Sequence, residues 1–264
     1  MGKEEIVIDP EFWVIFIPLL SAHVLGDFLL QNDDWVRRKE YLPVLLKHVL
    51  VLAVLSYVLV GIIPAWQLAF VVFISHALID RIKTRSERDN LFVFLLDQCV
   101  HILILILMAA LVVRWQLYSA ESLWLRWFGP GYLDFLIFFT GAVVSIYVGG
   151  FVVGYGVAPL LAKIEARDEH NEEQGDMGAV QSRGFEEGGR IIGYLERALI
   201  FILVIANQAG AIGFLIAAKS VLRFGEVRQR ENRMEAEYII IGTLLSFTFG
   251  LLIAFTTKYL LALV

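Results

Sequence analysis

Apolar runs of membrane-crossing length dominate the chain, separated by short polar interruptions. An α-helical crossing needs about 20 mostly apolar residues. Six stretches qualify: Phe12–Leu30, Tyr41–Ile63, Ala65–Ile79, Leu91–Val113, Tyr132–Leu161 and Tyr238–Val264. Ala65–Ile79 is short, and Pro64 divides it from the preceding run by a tight turn. Phe12–Leu30 does not read as a signal peptide, because Glu4, Glu5, Asp9 and Glu11 precede it and Pro18, His23 and Asp27 interrupt it. It is expected to stay in the mature protein. A seventh stretch, Ile191–Leu222, carries Asn207, Gln208, Gly210 and Gly213 at its centre. The pattern predicts an all-α, polytopic integral membrane protein: six full transmembrane helices plus one re-entrant or Gly-broken segment, opening with a four-helix bundle.

Composition agrees and narrows the class. Of 264 residues, 58% are apolar and 19% charged, against about 45–50% and 25% in soluble domains. This hydrophobicity excludes a disordered chain, and a single cysteine, Cys99, excludes a disulfide scaffold. With 22 Lys and Arg against 27 Asp and Glu there is no basic surface suggesting nucleic acid. The expected partners are membrane lipids and a small-molecule or lipid substrate.

Basic residues in short loops set orientation. Arg37, Arg38 and Lys39 follow the first run, and the loop at Pro64 has none. Arg81, Lys83, Arg85 and Arg88 follow the third run, only Arg114 and Arg126 the fourth, and Lys163, Arg167, Arg183 and Arg190 the fifth. This alternation predicts a multi-pass membrane protein with its N-terminus outside and its basic loops in the cytoplasm. Beyond Ile191–Leu222 come Lys219, Arg223, Arg228, Arg230 and Arg233, which one crossing would put outside. A hairpin or two half-helices returning to the cytoplasmic side resolves this; one long helix that breaks the charge rule is the alternative. The expected divisions are a four-span domain over 1–113, an exterior loop and fifth span over 114–165, an acidic flexible cytoplasmic linker over 166–190, and a C-terminal membrane region over 191–264.

Within the spans, polar residues are few and patterned. His23 precedes Asp27 by four, His76 precedes Asp80 by four, and Asp97 precedes His101 by four. This spacing puts both members on one helix face, a turn apart. His48 lies alone in the second span beside Lys47. Counted from the cytoplasmic boundaries, His23 lies roughly 12 Å deep, His48 about 10 Å, His76 about 6 Å, Asp97 about 9 Å and His101 about 15 Å. The first four spans therefore carry their histidines and aspartates to one layer.

A carboxylate at mid-bilayer costs about 2.5–3.5 kcal/mol on insertion scales, so such residues line cavities, pair or mark function. Imidazole and carboxylate ligands without thiolates suit a divalent ion such as Zn, Mn or Fe. The candidate ligands are His23, Asp27, His76, Asp80, Asp97 and His101, with Asp27 and Asp97 as candidate catalytic groups. Gln31, His48 and Gln98 are expected to support them, His48 being the member most readily explained by packing. The same residues also fit a proton or ion pathway, or hydrogen bonds that set helix register.

The C-terminal half carries weaker signals. Glu196 and Arg197 suggest a local pair or cap, and Lys219 with Arg223, Arg228, Arg230 and Arg233 an anionic-lipid contact. Gly141, Gly149, Gly150, Gly154 and Gly156 suggest close helix packing, and Trp115, Trp124, Trp127 and Phe128 an interfacial belt.

The strings AHVLGDFLLQ (Ala22–Gln31), HALIDRIK (His76–Lys83) and LDQCVHIL (Leu96–Leu103) resemble a bacterial membrane family, domain-of-unknown-function family 3307, over about residues 14–115. GRIIGYLERALI, AKSVLRF and EYIIIGTLLS are similar to the segments that accompany this domain in longer members. A more distant resemblance is to membrane-bound metal-dependent hydrolases, which also carry intramembrane His and Asp on several helices. It implies hydrolysis of a lipid-like or phosphoester substrate at the cytoplasmic leaflet. A metal-ion or proton transporter or channel, and a non-catalytic membrane scaffold, are the alternatives.

Overall fold

Residues that satisfy orphan amides open the first helices. Asp9 accepts from the Glu11 amide just ahead of Pro10, Asn32 from Trp35, and Asn90 from Val93, the usual side-chain caps for N–H groups lacking an intrahelical partner. The computed structural model describes residues 9–85, 90–118, 121–173, 188–223 and 233–264. The helices are α1 (Pro10–Phe28), α2 (Asp33–Arg37), α3 (Leu42–Val60), α4 (Trp66–Lys83), α5 (Leu91–Arg114), α6 (Leu123–Phe128), α7 (Gly131–Val143), α8 (Gly149–Glu173), α9 (Gly188–Ile205), α10 (Ile212–Arg223) and α11 (Arg233–Leu263). There is no strand among the described residues.

Six helical runs are long and apolar enough to cross a membrane: Pro10–Phe28, Leu42–Val60, Ile63–Lys83, Leu91–Arg114, Gly131–Arg167 and Ala236–Leu263. They coincide with the six apolar stretches to within a few residues. Their outward faces are aliphatic. Along α3, Leu42, Leu46, Leu50, Val54 and Val58 recur every four residues and are 40–57% exposed, while His48 is 1% exposed. An apolar outside around a polar inside inverts the soluble pattern and suits lipid as the surrounding solvent. The chain is a polytopic membrane protein.

The chain divides into one compact unit ending at Val143 and including Tyr259–Val264, and another over Val144–Lys258. In the first, α1 packs against α3 and α5, and α4 packs against both of those, closing a four-helix ring. α7 lies on another side of α1, where Thr140 donates to Ser21 Oγ at 2.8 Å. This unit therefore extends past residue 113, because the helix that begins at Gly131 shares α1's surface.

The C-terminal end of α3 is closed by residues far along the chain. Gly61 takes a left-handed conformation at φ 65°. The exposed carbonyls of Val58, Leu59, Val60 and Gly61 accept from Trp124 Nε1, Tyr132 OH, Ser122 Oγ and the Leu123 amide, at 2.5, 2.5, 2.8 and 2.9 Å. Trp124 is thus a cap rather than only a member of an aromatic belt, whereas Trp115, Trp127 and Phe128 stand 62–66% exposed.

In the second unit, Ile191–Leu222 is broken, as its central residues suggested. α9 ends with Asn207 at φ 60°, and the Gln208 amide donates to Leu203 and the Asn207 amide to Val204, a left-handed helix stop. α10 folds back along α9, so Lys219 meets Glu196 at 2.5–2.6 Å. Glu196 is therefore Lys219's partner rather than Arg197's, and Lys219 belongs to this hairpin rather than to a basic strip. Of the stretch 166–190 expected to be a linker, residues up to Glu173 continue α8 and Gly188 onward open α9. Its remainder over 174–187 lies outside the described residues, as do Arg88, Arg228 and Arg230.

Trp124→Phe keeps an aromatic ring but removes the donor to Val58. We expect a loss of about 1 kcal/mol, read as a lower melting temperature in detergent; an unchanged value would remove the cap from the account of α3.

Candidate metal centre

Each helix of the ring contributes inward polar side chains through its own periodicity. His23 and Asp27 lie a turn apart on α1, His76 and Asp80 on α4, Asp97 and His101 on α5, and His48 faces them from α3. All seven are buried or nearly so, with His48 1%, Asp80 2% and His76 3% exposed. Close approach of α1 to α3 depends on Gly26, where a Cβ would overlap the Leu52 side chain. That glycine directly precedes Asp27, so it sets how far Asp27 reaches toward α3.

Four atoms converge most closely. Asp27 Oδ1 is 3.2 Å from His48 Nε2 and 3.3 Å from His76 Nε2. Asp80 Oδ2 is 3.6 Å from His48 Nε2 and 3.5 Å from His76 Nε2. The two imidazole nitrogens face each other at 3.3 Å. A tetrahedral zinc ion holds nitrogen and oxygen ligands at about 2.0–2.2 Å, which makes neighbouring ligand atoms about 3.3–3.6 Å apart. These five separations lie in or beside that range, so His48 and His76 together face one carboxylate oxygen on either side. Asp27 Oδ1 is also buried with no donor but the two imidazoles near it, as an oxygen available to a cation would be. The donor set and its spacing therefore fit a divalent ion.

The other candidates surround this core. His23 Nε2 lies 3.2 Å from Gln98 Oε1, and its Nδ1 is 3.9 Å from Asp27 Oδ2. His101 Nδ1 lies 2.9 Å from the Asp97 carbonyl oxygen, which assigns the ring proton to Nδ1 and leaves Nε2 as an acceptor. That Nε2 is buried with no partner. Asp97 Oδ2 accepts from Lys83 Nζ at 2.7 Å and from Gln98 Nε2 at 3.0 Å. Gln31 lies further out, its Oε1 3.5 Å from Lys39 Nζ. Beside the rings, a cavity of about 10 Å³ lined by His23, Ser56, Ser75, His76 and His101 has room for roughly one water.

Sequence reading underrates two kinds of residue here. His48, expected to support the site, stands within 3.6 Å of both carboxylates and of His76; lacking a partner four residues away, it carries no local signal. Lys39 and Lys83 read only as loop charges, yet Lys39 Nζ is 2.8 Å from Asp80 Oδ2 and Lys83 Nζ 2.7 Å from Asp97 Oδ2. Asp97 and His101 are set aside from the closest four atoms, although with Asp80 they form a wider group whose ligand atoms lie within 4.8 Å of one another.

Three aspartates face two lysines, so the cluster holds one carboxylate more than it holds lysines. Asp27 is the member whose close partners are all imidazoles. A protonated histidine or a bound cation balances it, since a bare buried charge is strongly unfavourable.

Gly26→Val is expected to push α1 from α3 and lower stability by about 1–3 kcal/mol, with a smaller loss for Gly26→Ala. Thermal unfolding of the two variants that matched the original protein would show that these helices have room to spare.

No match was found among curated proteins or solved structures. Residues 15–126 match the family model described as protein of unknown function (DUF3307). The match spans His23 through His101 and so contains every side chain of the cluster. The N-terminal bundle is therefore the part of this chain that is similar to the DUF3307 family.

Proposed function

We propose that the N-terminal bundle is an intramembrane divalent-metal site, with Asp27, His48, His76 and Asp80 as ligands. The five donor separations of 3.2–3.6 Å carry this reading. Zinc suits the donor set and these separations, and manganese or iron would use the same ligand types. Such an ion supplies Lewis-acid polarisation and water activation. We favour hydrolysis of a lipid-like or phosphoester substrate at the cytoplasmic leaflet, with the basic loops on the cytoplasmic side of a bacterial inner membrane. His101, with its unpartnered Nε2, would take a proton beside the one-water cavity; Gln98 orients His23 and Asp97.

A specific observation favours a second reading, an ion pathway. Lys39 lies against the same Asp80 oxygen that faces the two imidazoles. A lysine that neutralises a ligand oxygen keeps the carboxylate compensated whenever the cation leaves, which a transport cycle requires and a permanent cofactor does not.

Elemental analysis of the purified full chain tests the site. We expect about one divalent ion per chain, lost in His48→Ala and Asp27→Asn but kept in Cys99→Ser. A folded protein without metal, or one whose metal survives both ligand changes, would overturn the proposal. Hydrolysis of model phosphoesters or lipid esters in detergent, set against metal flux into proteoliposomes, separates the two readings. Lys39→Met is expected to tighten metal retention about tenfold by removing the competing cation, measured by chelator challenge; unchanged retention would place Lys39 outside the exchange.

A further inference from the structure

Arg197 is 2% exposed and sits in the unit that does not hold the metal cluster. Its surroundings are built around it. Side chains at Gly149, Gly150 and Gly193 would crowd its guanidinium or alkyl stem, and Gly250 lies against the same stem. Two of the glycines expected to bring helices together, Gly149 and Gly150, thus join Gly193 and Gly250 in a sleeve for one long cationic side chain.

What the sleeve provides is incomplete in charge. Nε and Nη2 donate to the Ile146 carbonyl at 3.2 and 2.8 Å, and Nη1 donates to Ser246 Oγ at 3.0 Å. Ile146 lies in the π-helical turn Val144–Val148, where the register change frees a carbonyl for an outside donor. These bonds use three of the five guanidinium donors, and every acceptor is neutral. The adjacent carboxylate, Glu196, is taken by Lys219 at 2.5–2.6 Å. Among the described residues no carboxylate pairs with Arg197. A desolvated cation without a counter-charge is expensive, and paired anions are the usual remedy.

Arg197 also lines a cavity of about 380 Å³, within the range of small-ligand sites. Beside it in the lining, Lys219 is held by Glu196, so the guanidinium of Arg197 keeps its charge uncompensated. Tyr238 and Ser246 add hydroxyls, and Val153, Val157, Ile192 and Ile239 an apolar wall. A guanidinium without a counter-charge, neighbouring hydroxyls and an apolar side match a phosphate group, and a guanidinium with two donors to spare is suited to two of its oxygens.

We propose that this cavity binds a phosphate-class oxyanion, with Arg197 as its buried partner. The same chemistry is offered by an anionic phospholipid headgroup, whose chains the apolar wall would accept, and by free phosphate.

The test uses the full chain, delipidated in a phosphorus-free detergent. One arm titrates inorganic phosphate at constant ionic strength; the other titrates phosphatidylglycerol into mixed micelles, with phosphatidylcholine as the control. Binding to the folded form raises the melting temperature with the logarithm of one plus ligand over Kd. We expect that rise in one arm, with Kd weakened about tenfold in Arg197→Lys, which keeps the charge but loses the fork. A rise with inorganic phosphate assigns a free oxyanion; a rise with phosphatidylglycerol alone assigns a lipid headgroup. Should Arg197→Lys not fold, Ser246→Ala and Tyr238→Phe, which trim hydroxyls of the same lining, are expected to weaken the same titration. No rise above the controls in either arm, or variants that bind as tightly as the original chain, would overturn the proposal.

Discussion

A carboxylate enclosed by aliphatic helices has to be neutralised where it stands, because neither lipid nor protein interior solvates it as water does. That requirement governs the N-terminal bundle. Asp27, Asp80 and Asp97 each come from a different helix, and each is answered from outside it: Asp27 by His48 and His76, Asp80 by Lys39 in the turn before α3, Asp97 by Lys83. Aliphatic packing alone would tolerate many rotations of these helices. The polar layer selects one, since turning α3 would withdraw His48 from both carboxylates.

The same requirement is met differently in the second unit, where the buried charge is a cation. Arg197 meets a carbonyl and a hydroxyl, with glycines around its stem, and the neighbouring Glu196–Lys219 pair ties α10 back onto α9. The two units share a rule, polar inside and aliphatic outside, and differ in the sign of the charge left over.

Legibility in the sequence followed the range of the interaction involved. Helices and their ends were readable because length, hydropathy and capping residues act locally, and the i, i+4 His–Asp pairs were visible for the same reason. His48 was undervalued because what makes it central is the arrival of α1 and α4, not anything on α3. Lys39 and Lys83 looked like topology signals because their long stems conceal where the ammonium ends up. Asn207 announced a break and the basic residues beyond it a return, but the pair that ties the two halves together, Glu196 and Lys219, is 23 residues apart and carries no local signal. Trp124 looked like a lipid-interface residue since its indole, judged alone, is suited to one.

The closure of α3 also bears on how the protein is made. Val58, Leu59, Val60 and Gly61 find their donors at Ser122, Leu123, Trp124 and Tyr132, beyond the end of α5. A nascent chain that has inserted its first four helices therefore still has unsatisfied carbonyls at one end of α3. The ring can be complete in helices before it is complete in hydrogen bonds, and the segment leading into α7 is what locks it. The segment leading into the fifth membrane helix thus completes the helix that carries His48.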